Sequence, residues 1–181
     1  MNTYIALFRG INVGGKNTLK MKDLVSLMEA LGAKNVQTYI QSGNAIFQSL
    51  KEHTQLSEQI SLAIQQHYGF APNVLVLDQA EFEKAMAENP FPEGMSNPRS
   101  LHLGFLARPP GQPKLEELDR LKSESEQYHL TDRVFYLYAP EGIGRSKLAA
   151  NSERLLGVPM TDRNWNTVMK ILQLIESKEK Q

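Results

Sequence analysis

The stretch VQTYIQSGNAIFQS, residues 36–49, decides the fold. Two strand-like runs, Val36 to Ile40 and Ala45 to Gln48, are separated by Gln41-Ser42-Gly43-Asn44, a run of turn formers. So few residues cannot carry a crossover back to a parallel strand, so the two runs form an antiparallel hairpin. Working outward, TYIALF (3–8) reads as a buried strand that leaves through Gly10, Gly14 and Gly15. In KMKDLVSLMEALG, Met21, Leu24, Val25, Met28 and Leu31 recur at helical spacing and Gly32 supplies a stop. HTQLSEQISLAIQQHYG carries Leu56, Ile60, Ala63, Ile64 and His67 on one side, and NVLVLD (73–78) closes the unit as a strand. The order strand, helix, strand, strand, helix, strand predicts a ferredoxin-like plait, an antiparallel sheet with two helices on one face.

The pattern then recurs. A helix at 79–88 leads into NPFPEGMSNP (89–98), which has three Pro in ten residues and reads as a linker. SLHLGFLA is a strand, KLEELDRLKSE a helix, QYHL and VFYLYA a hairpin around Thr131-Asp132-Arg133, RSKLAANSERLLG a helix and VPMT a short last strand. An added helix, WNTVMKILQLIES, shows an apolar stripe of Trp165, Val168, Met169, Leu172 and Ile175. The expected architecture is α+β: two tandem ferredoxin-like (βαββαβ) plaits with antiparallel sheets, over 1–78 and 100–181, joined by 79–99 and finished by a C-terminal helix.

Composition narrows the function classes. The 181 residues are 41% apolar and 22% charged, ordinary for a chain that buries a core. Twenty basic and twenty acidic residues cancel, so nucleic-acid binding would need a local patch. The first fifty residues are mildly basic, with five Lys/Arg against two Asp/Glu, and the next fifty are acidic, with three against seven. The absence of Cys excludes disulfides, thiolate metal sites and a Cys nucleophile, and points to the cytoplasm. No secretory leader or stretch of 18 apolar residues is present, so no membrane association is expected. His53, His67, His102 and His129 are scattered without metal-ligand spacing, so neither a metal nor a cofactor is expected, and His102 and His67 read as packed or surface residues.

GINVGGKN (10–17) tests the most specific alternative. Gly10, Gly15 and Lys16 fit the phosphate-loop pattern, but Asn17 stands where a magnesium-binding hydroxyl belongs. Asp78 at the end of NVLVLD resembles a magnesium carboxylate. The hairpin argues against the parallel sheet that such enzymes need, and the helical periodicity begins at Met21, past the point where Lys16 could join a first turn. A polar or anionic ligand remains compatible with this loop, through Arg9, Asn12, Gly14, Gly15 and Lys16. EGIGRSKL in the second half places Arg145, Ser146 and Lys147 at a helix start, with Ser146 a natural N-cap; Leu148 rules out a nucleophile elbow. In TDRNWNTV, Thr161, Asp162 and Asn164 can each cap the last helix, leaving Arg163 without a structural task.

LFRGINVGGKN, YIQSGNAIF, NPFP, GRSKL and TDRNWNTVMK, taken in order, resemble the bacterial domain-of-unknown-function 1697 family. The resemblance implies two ferredoxin-like plaits in tandem and no established activity. Phe8 and Asp162 are small departures from it. Its polar motif positions, Arg9, Asn12, Lys16, Gln41, Ser42, Asn44, Arg145, Ser146, Lys147, Arg163 and Asn164, are the candidates for a shared ligand surface. The sequence therefore reads as a binding module for an anionic small molecule or nucleotide. RNA or single-stranded nucleic acid, stacking on Tyr4, Phe8 and Phe47, is the first alternative. An enzyme of unrecognised type is the second, and oligomeric state is not legible.

Overall fold

The hairpin forms where the turn residues place it, as β2 (Lys34–Tyr39) and β3 (Asn44–Ser49), antiparallel with Thr38 opposite Ala45 and Gln37 opposite Ile46. The computed structural model describes residues 1–41 and 43–179. They divide into two units, Met1–Lys84 with the segment from Lys170 onward, and Ala85–Met169.

In the first unit, β1 (Asn2–Arg9), α1 (Met21–Ala30), β2, β3, α2 (His53–Tyr68) and β4 (Asn73–Asp78) build a four-stranded antiparallel sheet in the order β2-β3-β1-β4, and α3 (Gln79–Ala87) follows. β3 inserts between β1 and β2, so the helical connection α1 joins strands that are not neighbours. Strand alternation sends Tyr4, Ala6, Phe8, Ala45, Phe47 and Val76 to one core. There they meet Leu24, Leu27 and Met28 of α1 and Leu56, Ile60, Ala63 and Ile64 of α2. Each large side chain so buried contributes about 1.5–3 kcal/mol. Ile5, Leu7, Ile46 and Leu77, on the other face, are also buried.

In the second unit, α4 (Glu93–Ser96) lies within the Pro-rich segment and precedes β5 (Leu101–Leu106), α5 (Leu115–Leu121), β6 (Gln127–Leu130), β7 (Val134–Tyr138), α6 (Lys147–Leu156) and β8 (Met160–Asn164). The sheet order is β6-β7-β5-β8, again antiparallel throughout. Leu106, Phe135 and Leu137 pack with Leu118 of α5 and Leu148, Leu155 and Leu156 of α6. α6 stops at Gly157, whose φ of 70° is the left-handed cap that glycine supplies at least cost.

Two details differ from expectation. The last strand is not Val158–Thr161 but Met160–Asn164, paired with β5 from Met160 opposite Leu106 to Asn164 opposite His102. Arg163 and Asn164 are therefore strand residues. In α7 (Trp165–Glu179) the buried stripe is Trp165, Val168, Ile171 and Ile175, with Met169 and Leu172 only half-buried.

Candidate functional site

The glycine-rich loop of the first unit is closed by its own hydrogen bonds. Gly14 and Gly15, at φ 59° and 72°, form the tip of a miniature hairpin. Across its base the Asn12 N–H donates to the Asn17 carbonyl (3.1 Å) and the Lys16 N–H to the Val13 carbonyl (3.1 Å). Asn12 takes φ 53° and Asn17 φ 52°, a region where Asn is the most tolerant of the non-glycine residues. The Asn12 amide donates to the carbonyls of Leu19 (2.8 Å) and Gln41 (2.9 Å), and its oxygen accepts the Leu19 N–H (2.7 Å). The Asn17 amide donates to the Gly10 carbonyl (2.8 Å). These bonds tie the loop to the β2–β3 turn, so Asn12 and Gln41 do come together, with Asn12 as a backbone brace.

That turn is held as closely. The Phe8 N–H donates to the Gly43 carbonyl (2.8 Å), and a Cβ on Gly43 would meet Ile11 Cδ1 at 2.5 Å and Phe8 Cβ at 2.6 Å. Asn44 is 0% exposed and its amide donates to the Tyr39 carbonyl (3.0 Å), so it is a core residue. Ser42 lies outside the described residues. Arg9, Gly14, Gly15 and Lys16 are exposed, Lys16 beside the hairpin tip. α1 begins at Met21, and its N-cap Lys20 makes no side-chain cap, so the phosphate-loop geometry is absent from this helix start.

The corresponding loop of the second unit is open. Arg145, Ser146 and Lys147 share a cleft of about 680 Å³ with Arg120, Ser123, Ser125, Glu126, Glu141, Gly142 and Gly144. The Ser146 hydroxyl accepts the Ala149 N–H (3.0 Å), capping α6 as expected. The N–H groups of Lys147 and Leu148 belong to the first helical turn, where no intrahelical acceptor exists. Among the described residues the side chains of Arg145 and Lys147 make no hydrogen bond or ion pair, while Arg120 reaches Glu116 at 3.8 Å on a solvated face. Glu126 is buried and its carboxylate accepts the Ser123 N–H (2.9 Å), which ties one of the cleft's two carboxylates to the backbone. The lining thus combines three cations, two carboxylates and a helix amino end.

Arg163 and Asn164 do not join this cleft's lining. The Asn164 side chain accepts the Thr167 N–H (3.0 Å) and starts α7. Arg163 donates to the Asp162 carbonyl (2.8 Å), and burial lowers its guanidinium to about 10 against the pull of Asp162.

A pairing that the sequence reading missed lies beside them. His102, 6% exposed, places Nδ1 2.8 Å from Asp162 Oδ2 and Nε2 3.1 Å from the Arg99 carbonyl oxygen. Sixty residues separate the partners in sequence, and only the β5–β8 register brings them together. Burial pulls the His102 pKa down, but the hydrogen bond and charge of Asp162 and the Arg99 carbonyl outweigh it, leaving the imidazole above its ordinary 6.5.

The aromatic residues offered for base stacking are unavailable. Tyr4, Phe8 and Phe47 point into the helix-covered core of the first unit, each buried. Among the described residues no group of three His, Cys, Asp or Glu side chains could hold a metal ion, and no helix is long and apolar enough to cross a membrane.

A family described as protein of unknown function (DUF1697) matches residues 1–136. The chain belongs to this family. The match takes in the closed loop, the β2–β3 hairpin and the first six strands of the two sheets, and ends within β7. A solved structure, that of the conserved bacterial protein SP0830 from Streptococcus pneumoniae, is similar over 95% of this chain and 97% of that one. It is 28% identical with a TM-score of 0.70. Among proteins of curated function none matches the chain.

Proposed function

We propose that this DUF1697 member is a cytoplasmic binding module of two ferredoxin-like plaits that takes a small phosphorylated anion, nucleotide-sized or smaller, in the cleft beside α6. The order βαββαβ with β3, or β7, inserted next to the first strand of its unit supports the plait assignment. The observation that carries the ligand class is the pair of uncommitted cations, Arg145 and Lys147, flanking a capped helix start on the wall of a cleft. Guanidinium and ammonium groups beside free N–H donors suit phosphate oxygens, and about 680 Å³ lies within the range of small-molecule sites. The loop around Lys16 is the weaker candidate, because its side-chain amides are spent on its own backbone.

A thermal-shift series on the full chain tests this, using nucleoside mono-, di- and triphosphates, phosphorylated metabolites, polyphosphate and short RNA, with and without magnesium. A ligand at a hundredfold over its dissociation constant stabilises the folded state by about 2.7 kcal/mol, a shift of several degrees. The reading expects a shift that Arg145→Ala and Lys147→Ala abolish and Lys16→Ala leaves. A flat panel, or a shift that survives both substitutions, overturns it. RNA as the sole ligand, with affinity falling steeply in salt, would move the function to nucleic acid.

A further inference from the structure

We propose that His102 is a proton-operated latch: its imidazolium fastens the turn at 97–100 to β8, and loss of the proton releases that turn. The argument begins with hydrogen-bond inventory. Both groups facing the ring are acceptors, the Asp162 carboxylate at Nδ1 and the Arg99 carbonyl at Nε2. A neutral imidazole has one N–H and one lone pair, so it satisfies one of them and turns its lone pair on the other. Only the doubly protonated ring satisfies both. The Asp162 charge retains the remaining proton at Nδ1, so the contact that fails on deprotonation is the one to Arg99.

The surroundings isolate the event. Asp162, on β8, is the charged group acting on the ring, and its side chain is 40% exposed, so the pair is partly screened by solvent. Arg163 alternates to the opposite face of the strand. β7 places Leu137 opposite His102, and β8 places Asn164 there. The helices on this sheet, α5 and α6, turn Leu118, Leu148, Ser152, Leu155 and Leu156 inward, none of them ionisable. The Arg99 side chain is exposed and contributes only its carbonyl. The turn has its own ties, since the Ser100 N–H and hydroxyl both donate to the Asn97 carbonyl (2.9 and 2.7 Å). Release is therefore a loosening of the exposed linker before β5, with the sheet intact.

The pH window follows from the direction of the shift. A histidine raised above its ordinary value contributes stability that is complete below about 6.5 and is lost as the pH climbs through the folded-state value. The latch is closed in weakly acidic medium and opens on the alkaline side.

Long-range proton–nitrogen NMR of the uniformly labelled full chain between pH 5 and 9, with amide hydrogen exchange on the same samples, tests the latch. His102 is expected to show two protonated ring nitrogens at pH values above the ordinary histidine midpoint of 6.5. Exchange at the Arg99 and Ser100 amides, corrected for intrinsic rate, should rise along the His102 curve. Asp162→Asn, which keeps an acceptor oxygen and removes the charge, should move the His102 midpoint down and bring the rise in exchange with it. A His102 midpoint at or below 6.5 overturns the proposal. So does corrected exchange at 99–100 that stays flat through the His102 titration, or a midpoint unmoved by Asp162→Asn.

Discussion

Residues 10–17 and 141–147 look alike as text: glycines, then a cation, then a helix. Their structures part company at the polar side chains beside the glycines. In the first, Asn12 and Asn17 turn back onto the chain and satisfy the carbonyls of Gly10, Leu19 and Gln41. In the second, the side chains of Arg145 and Lys147 make no such bond among the described residues, and Ser146 satisfies the Ala149 N–H while those of Lys147 and Leu148 remain free. An amide beside a backbone competes for backbone partners, whereas a cation at a helix start has only solvent or an anion to meet. Glycine-rich spacing therefore marks a loop; the polar residues beside the glycines decide whether it is spent on itself.

The contrast can be broken most directly at Gly43. Gly43→Ala drives a methyl into Ile11 and Phe8 at a φ of +88°, and should destabilise the protein by roughly 2–4 kcal/mol in urea unfolding. Gly142→Ala, at φ +84° with no atom within 4 Å of the new Cβ, should cost only about 1 kcal/mol in the same titration. Equal losses would mean that the second loop is as tightly packed as the first. Next in size, Asn12→Ala removes three hydrogen bonds and should lower stability by about 2 kcal/mol, with faster exchange at the Leu19 amide, while leaving ligand shifts in place. A smaller loss, about 1 kcal/mol by denaturant unfolding, is expected for Ser146→Ala, the removal of one helix cap. Smallest of all, Arg145→Ala and Lys147→Ala should each change stability by less than about 0.5 kcal/mol, since neither side chain holds a partner among the described residues. Their effect should appear in the thermal-shift series, and a large stability loss from either would assign it to the fold.

Most of the first unit was legible, because apolar spacing, Gly32, Gly69 and the turn at 41–44 each act locally. β8 was misplaced for a physical reason. As an edge strand bonded on one side only, it tolerates Thr161, Asp162, Arg163 and Asn164, and these polar residues read equally well as helix caps. Only Asn164 does that work, from the strand's last position. The stacking face failed similarly: Tyr4, Phe8 and Phe47 were placed on the right strands, but period-two alternation does not say which face the helices cover. Among the site candidates, the sequence displayed the residue types and concealed their partners. Asn44 reads as a turn amide until its burial is seen, and the His102–Asp162 pair spans most of a unit.

α7 changes allegiance part-way along its length: Trp165–Met169 belong to the second unit and the residues from Lys170 to the first. Ile171 and Ile175, buried in the finished protein, are synthesised only after the whole of Ala85–Met169. A nascent chain can thus close the second unit's sheet while the first still lacks its final helical segment. No contiguous run of the chain completes the first unit, so its completion waits on translation of the whole of the second.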